Sequence, residues 1–280
     1  MTVTTMDTAP PVVAPAPVAA HYSMMDLLRS EWTKLRTVRS TMWTLGLIII
    51  LGVGLSAIAT AETTAHWATM DPGSKIGFDP TQTSLIGVAF GQLVIGILGV
   101  LAISAEYGTG TIRATLSAAP ARWKVLAAKA GVFGAVALVV SEVVAFVAYF
   151  LGQALLKAPT PHTSLGSPQA LRAVVGAGLY LTVLGLFALG IATMIRHTAG
   201  GISAFVGVLL IFPLINGALP QSLQQTIREY LPAHIGDQIT AYHQFPSPHA
   251  FTPWVGFAIL CGYALAALVI GGVLLTRRDA

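Results

Sequence analysis

Charged side chains are scarce in this sequence of 280 residues. Lys and Arg number 15 and Asp and Glu 11, so that 9% of the chain is charged, against about 25% in a soluble globular domain. Apolar residues make up 55%, and the mean hydropathy is +0.75. Such a chain has too little polar surface to dissolve a compact globule. This excludes a cytoplasmic enzyme, a nucleic-acid binder and a secreted disulfide scaffold.

Cysteine is nearly absent, and the common catalytic and metal-binding motifs are missing. The one cysteine, Cys261, lies in an apolar run and cannot form a disulfide within the chain. No lysine has the context of a phosphate-binding P-loop, G-x-x-x-x-G-K-[ST]; the nearest, Gly73-Ser-Lys75-Ile76, lacks the first glycine and the hydroxyl residue. His234, Asp237, His243 and His249 form no compact ligand motif, so no metal site is predicted.

Long apolar runs are abundant, by contrast. Six of them approach the roughly 20 residues that a helix needs to cross the hydrocarbon of a bilayer. They lie at about 41–61, 81–104, 130–156, 173–195, 198–219 and 253–276. A membrane β-barrel would instead show short alternating segments. The sequence therefore predicts an all-α polytopic membrane protein with six transmembrane helices in residues 41–280.

The first 22 residues differ from the rest. They are rich in Pro and Ala, and they have neither the basic start nor the unbroken apolar core of a signal peptide. We expect residues 1–22 to form a disordered cytoplasmic tail.

Basic residues are distributed unevenly between the two sides that six spans define. Eleven fall on the side of the N-terminus: Arg29, Lys34, Arg36, Arg39, Arg113, Arg122, Lys124, Lys129, Arg196, Arg277 and Arg278. Four fall on the other: Lys75, Lys157, Arg172 and Arg228. Because cytoplasmic loops carry the excess of Lys and Arg, both termini are predicted to lie in the cytoplasm, with the chain in the plasma (inner) membrane.

Residues 23–40 precede the first span and read as an amphipathic helix. Met25, Leu28, Trp32 and Leu35 recur at helical spacing and form one apolar stripe. Glu31 and Lys34 stand at i and i+3, where opposite charges can pair. The pattern predicts a helix that lies in the membrane interface. The alternative is a basic flank that only sets the topology.

The loop at 105–129 contains signals for a second short helix. Gly108 and Gly110 should end the helix of the second span, and Thr109 or Thr111 should cap a new helix over 112–118. Pro120 should end that helix. A short helix on a cytoplasmic loop suits docking to a soluble partner, although an ordinary connecting loop is an equal alternative.

These two segments carry a family resemblance. Residues 30–37 (SEWTKLRT) and 106–113 (EYGTGTIR), followed by Pro120, Arg122 and Lys129, resemble permease subunits of actinobacterial type-2 ABC exporters, whose fold is ABCG-like. The resemblance covers residues 24–280, including the Arg277-Arg278-Asp279 ending. It implies a dimer of permeases, homodimer or heterodimer, driven by a separate ATP-binding subunit that holds ATP and Mg. No cofactor, metal or nucleic acid is expected on this chain itself, and the partners are that subunit, a second permease and membrane lipids.

The resemblance also implies roles for particular segments. The helix before the first span becomes a connecting helix, the 105–129 loop holds the main coupling helix, and Arg196-His-Thr198 makes a smaller contact. Residues 220–252 become short re-entrant helices and an outer cap, with a plain loop as the alternative. The residues expected to couple the chain to the ATPase are Glu31, Lys34, Arg36, Glu106, Thr111, Ile112, Arg113 and Leu116, with Glu106 as the anchor of the loop.

Glu142 is the one acidic residue inside a predicted span. Because a charge at the bilayer centre is costly, such a residue usually faces protein or water. It is a candidate for the translocation path, and a packing contact is the alternative. Gly87 and Gly91 likewise predict close helix packing, either within one subunit or at a dimer seam.

Two other functions stay open from sequence alone. An ATP-independent secondary transporter usually carries several ionisable groups in its spans, and this chain has one. A membrane-bound assembly or sensor subunit that does not transport could use the same docking loop.

Overall fold

The computed structural model describes residues 23–242 and 251–277. The predicted tail 1–22, His243, His249, Arg278 and Asp279 lie outside the described residues. The described part of the chain contains helices and no strand. Its α-helices are α1 Met24–Thr37, α2 Arg39–His66, α3 Pro72–Ile76, α4 Pro80–Ser84, α5 Val88–Gly108, α6 Thr111–Ala118, α7 Arg122–Leu155, α8 Pro168–Ile195, α9 Thr198–Val206, α10 Phe212–Gly217, α11 Gln221–Arg228, α12 Pro232–Thr240 and α13 Pro253–Arg277.

Six helical segments of the described chain are long and apolar enough to cross a membrane. They are α2 with the 3₁₀ turn that follows it, α5, α7, α8, the α9–α10 segment and α13. The predictions of an all-α membrane protein and of six spans are thus confirmed. Large apolar side chains such as Trp43, Ile50 and Leu214 are exposed along these helices, as expected of surfaces that face lipid.

Helix α8 is the centre of the bundle. Helices α5, α7 and α13 pack along it, and α2 packs mainly on α7. Glycines allow the closest approach, because a Cβ atom on Gly99 of α5 would overlap the carbonyl oxygen of Gly185 in α8. Close helix packing through small residues is typical of membrane proteins. Gly87 acts in the same way against Gly52 of α2, so this glycine packs within the subunit.

The second span differs from the continuous helix predicted to begin at residue 81. The structure has a short helix, α4, then a turn, and α5 begins at Val88. Asp79 caps α4 by accepting hydrogen bonds from the backbone N–H groups of Thr81 and Gln82, at 2.9 Å each. At the turn, the N–H of Gly87 donates to Ser56 Oγ in α2 at 3.0 Å. The break therefore depends on contacts with α2 that hydropathy does not reveal.

The fifth span is interrupted in its middle. A π-helical turn, Gly207–Ile211, separates α9 from α10. The N–H of Phe212 bonds to the carbonyl of Gly207, five residues earlier. The next residue is Pro213, which has no N–H and disturbs the regular ladder around it. The interruption therefore lies directly before Pro213, within the span.

The bundle has two ends, which we name after the short helices that lie there. The α6 end holds α1, α6, the starts of α2, α7 and α9, and the last turns of α5, α8 and α13. The α12 end holds α3, α4, α11 and α12. Contacts across the bundle fix this arrangement: Arg122 at the start of α7 and Arg196 at the end of α8 donate to the carbonyls of Leu275 and Leu274 at the end of α13, at 2.6 and 2.8 Å.

Candidate functional site

Four charged side chains meet at the α6 end. Lys34 Nζ of α1 lies 2.7 Å from Glu31 Oε1 and 2.9 Å from Glu106 Oε1 of α5. Lys129 Nζ of α7 lies 2.6 Å from Glu31 Oε2 and 2.6 Å from Glu106 Oε1. Each carboxylate therefore contacts both ammonium groups. We call these four residues the ion cluster; it joins three helices that are distant in sequence.

Burial makes the ion cluster more than a surface feature. Glu31 and Lys129 are each 4% exposed and Glu106 is 8% exposed. Burial alone would lower the pKa of Lys34, but its hydrogen bonds to Glu31 and Glu106 and their negative charges outweigh burial, and the pKa is raised. A buried charge that loses its partner is strongly destabilising, at about 3–5 kcal/mol. The four residues therefore hold α1 firmly against α5 and α7.

Local sequence explains how α1 presents Glu31. Ser23 begins the helix with a capping box, in which its hydroxyl accepts from the N–H of Asp26 and the Asp26 carboxylate accepts from the N–H of Ser23. Helix α1 then packs on α7 with Glu31 inward. Met25 and Trp32 of the apolar stripe remain about half exposed, at 56% and 50%. An exposed apolar stripe on a helix beside the bundle fits a helix in the membrane interface.

Helix α6 follows the ion cluster directly. Gly110, with φ of 72°, turns the chain from α5 into α6 in a conformation that favours glycine. No side chain caps α6: the Thr109 hydroxyl donates to the carbonyl of Ala105 at 2.9 Å, so the predicted threonine cap is wrong. The left-handed conformation of Gly110 makes the junction between α5 and α6.

The side chains on α6 divide the predicted coupling residues into buried and exposed ones. Ile112 and Leu116 are 3% and 8% exposed and belong to the hydrophobic core, so they hold α6 against its own bundle, and their contact with an ATPase stays a prediction. A short amphipathic helix buries its apolar side where apolar surface is nearest. Thr111 and Arg113 are exposed, and Arg36 is exposed at the end of α1, outside the ion cluster.

The loop between α8 and α9 is tied to the same end. The guanidinium of Arg196 lies 5.7 Å from the ring centroid of Tyr107, and Thr198 Oγ1 donates to Ser104 Oγ at 3.0 Å. His197 is exposed between them. Of the three residues predicted to make a smaller partner contact, His197 is thus the most exposed.

Comparison with known proteins identifies the family. Residues 25–280 match the model of the family described as ABC-2 family transporter protein. The chain belongs to the ABC-2 transporter family. A search of curated proteins finds no significant match. The resemblance in the sequence is confirmed, and the chain is a multi-pass membrane permease of an ABC transporter; permeases of this family generally work with an ATP-binding subunit.

Sequence reasoning missed one member of the permease's ion cluster. It placed Glu31, Lys34 and Glu106 in one functional set, and it used Lys129 as a topology marker and as part of the family resemblance, outside that set. A signal was present in the chain, because Lys129 follows the spacing of the inward positions Val125, Val132 and Phe133 on α7. A lysine in register with a buried helix face needs a buried partner.

Glu142 lies inside the permease against α8. Its carboxyl group occupies the space left by Gly178, where a Cβ atom would overlap it. In the described residues Glu142 Oε2 has no hydrogen-bond partner. This position agrees with a packing contact between α7 and α8, and the translocation-path role stays a prediction.

The described residues contain no group of three His, Cys, Asp or Glu side chains that could hold a metal ion. His234 approaches Glu229 Oε2 at 3.4 Å on α12, and burial lowers its pKa together with the charge of Arg228. These residues form a local polar contact at the α12 end, and His243 and His249 lie outside the described residues.

Proposed function

We propose that this permease is the membrane subunit of an ATP-driven exporter. It forms the translocation path with a second permease copy and is coupled to a separate subunit that binds ATP and Mg. The ion cluster is the observation that supports this proposal best. It links α1, the last turn of α5 and the start of α7 directly beside α6. A force on α6 therefore reaches three elements together.

The proposed docking surface combines two exposed regions of the α6 end. Thr111 and Arg113 on α6 make the primary contact, and Arg36 on α1 supports it from the side. Behind this surface, α1 is held to α5 by Glu31, Lys34 and Glu106. Helix α6 is anchored to the bundle by Ile112 and Leu116. A rigid base is what such a surface requires, since a loosely held helix would absorb motion rather than transmit it.

The orientation follows from charge. Basic residues of the described chain crowd the α6 end, whereas Lys75, Lys157, Arg172 and Arg228 belong to the α12 end. The excess of Lys and Arg favours a cytoplasmic α6 end in the plasma membrane, with both termini inside. In this proposed orientation, a soluble ATPase can reach α6.

The test is ATP turnover by the complex that co-purifies with the tagged chain from its host in mild detergent. We expect vanadate-sensitive turnover together with a P-loop partner, and a loss of at least fivefold in Arg113→Ala and in Glu106→Ala. Lys157→Ala, an exposed basic residue at the α12 end, is the matched control and should retain wild-type turnover.

Other outcomes would contradict the proposal. A well-folded preparation with neither partner nor turnover would favour an ATP-independent secondary transporter. A partner that binds without any transport in reconstituted vesicles would favour an assembly or sensor subunit. Wild-type turnover in both alanine variants would show that coupling uses a different surface.

A further inference from the structure

A cavity of about 550 Å³ lies at the α12 end, away from the ion cluster. Its walls come from the segment after α2, the start of α5, Tyr180 of α8 and one side of α12. Pockets for small organic molecules have volumes of about 300–1,000 Å³. The α12 wall is firmly seated, because a Cβ atom on Gly236 would overlap the Tyr180 ring. The size of the cavity and its fixed wall fit a binding site better than a packing defect.

Asp237 supplies the accessible charge of this cavity. Its side chain is exposed, yet the surrounding protein is dense enough that burial raises its pKa, against the opposing charges of His234 and Arg228. The exposure of the side chain and its raised pKa agree with each other if the carboxylate faces a recessed cavity rather than open solvent. Within the described residues, the hydrogen bonds and ion pairs around α12 involve Arg228, Glu229, His234 and Gln238, and the Asp237 carboxylate has none.

Further polar groups line the same cavity, among them Tyr180, Gln92 and Asp79. The Tyr180 hydroxyl donates to Gln92 Oε1 at 2.6 Å, which fixes the Gln92 amide and directs its carbonyl oxygen toward Tyr180. Asp79 is already engaged, since it caps α4 and accepts from the N–H of Tyr242 at 2.7 Å. It therefore adds negative charge to the wall while staying fixed in place.

The rest of the lining combines aliphatic side chains and an aromatic ring with several hydroxyl and amide groups. Phe78 packs edge-on against Trp67, with ring centroids 5.0 Å apart, and Leu85, Ile86 and Val88 continue the surface. Among the described residues, the lining includes Asp79 and Asp237 and no Lys, Arg or His. Negative charge beside apolar and aromatic walls favours a cation with an apolar body.

We propose that this cavity binds an organic amine in its protonated form, with Asp237 as the counter-ion and Phe78 and the aliphatic wall around the apolar body. Arg228 and His234 approach Asp237 without lining the cavity, so the ammonium group meets the carboxylate directly. The site goes beyond the proposed ATP coupling and does not depend on it, because it lies at the opposite end of the bundle.

The test uses dansylcadaverine, a fluorescent primary amine, with the full chain in lipid nanodiscs and no ATP. We expect saturable binding with enhanced dansyl emission, and binding at least tenfold weaker in Asp237→Asn. The N-acetylated probe, which has the same body without the charge, should also bind at least tenfold more weakly. Asp71→Asn is the matched control, because Asp71 is an exposed carboxylate of the same end that does not line the cavity; it should bind like wild type.

A second variant tests the proposal in case Asp237→Asn does not fold. Ala89→Phe fills the cavity and leaves every charge in place, so it should abolish binding of the amine. The proposal is overturned if wild type shows no saturable binding, if the acetylated probe binds equally well, or if Ala89→Phe or a folded Asp237→Asn binds as tightly as wild type. Because no ATP is present, these outcomes are independent of the ATP-coupling test.

Discussion

Lys129 is the residue on which the ion cluster depends most. It is 4% exposed and is hydrogen-bonded to both carboxylates, whereas Lys34 is only partly buried. An ammonium group in that position compensates two buried negative charges at once. Its loss leaves Glu31 and Glu106 with Lys34 as their one remaining partner in the cluster.

We therefore predict that Lys129→Met destabilises the protein by about 3–5 kcal/mol, the usual cost of breaking a buried ion pair. Lys124→Met is the matched control, because Lys124 is exposed on the same helix and should change stability by less than about 0.5 kcal/mol. Thermal unfolding of both variants in the same detergent measures the difference. Equal melting temperatures would show that the cluster does not contribute to stability.

For individual residues, the sequence predicts ion pairs within one helix better than it predicts ion clusters that join distant helices. The Glu31–Lys34 contact follows from helical spacing, because both residues lie on one helix. The contact of Lys129 with Glu31 spans 98 residues and requires the relative placement of α1 and α7, which no local pattern contains. Ile112 and Leu116 show a related limit: their i, i+4 spacing identifies an apolar side without saying whether the protein or a partner covers it.

Among the helices, α6 follows a single backbone angle that an L-residue rarely adopts. Gly110 has φ of 72°, and there is open space where its Cβ atom would lie. An L-residue there costs roughly 1–2 kcal/mol through its backbone conformation alone. The strain falls on the junction of α5 and α6 rather than on the bundle.

Gly110→Ala is expected to increase local opening of α6 by about five- to thirtyfold, which corresponds to 1–2 kcal/mol. Hydrogen–deuterium exchange of the amides at 111–118 measures this directly. Gly108→Ala is the control, since Gly108 also has open space around it and has no positive φ. Unchanged exchange in Gly110→Ala would mean that α6 does not need the left-handed turn.

Hydropathy located the spans because the transfer of apolar residues into lipid is a local property of each segment. It did not locate the turn between α4 and α5, which is fixed by Ser56 of α2, or the π-helical turn before Pro213. Both interruptions arise from contacts or lost hydrogen bonds that leave the mean hydropathy of a span unchanged.

The whole molecule has a clear polarity. Its α6 end holds the ion cluster, α6 and most of the basic residues, and its α12 end holds the cavity with Asp237. If the basic end faces the cytoplasm, the two ends meet different compartments and different ligands. The orientation is thus the one global property on which the coupling proposal depends.

In a Cys261→Ser background, Ala65→Cys at the α12 end should react with a membrane-impermeant maleimide in whole cells. Ser117→Cys on α6 should react only after the cells are opened. Both residues are exposed, so that burial does not protect either thiol. The reverse pattern would invert the proposed topology.

The ion cluster also imposes an order on biosynthesis. Lys129 leaves the ribosome 98 residues after Glu31, which is roughly 5–20 s at ordinary rates of translation. During that interval α1 has no access to its buried partner, and the stripe of Met25 and Trp32 is what can hold it at the bilayer surface. Docking of α1 is therefore a late event, and it reports that the third span has been inserted in the correct direction.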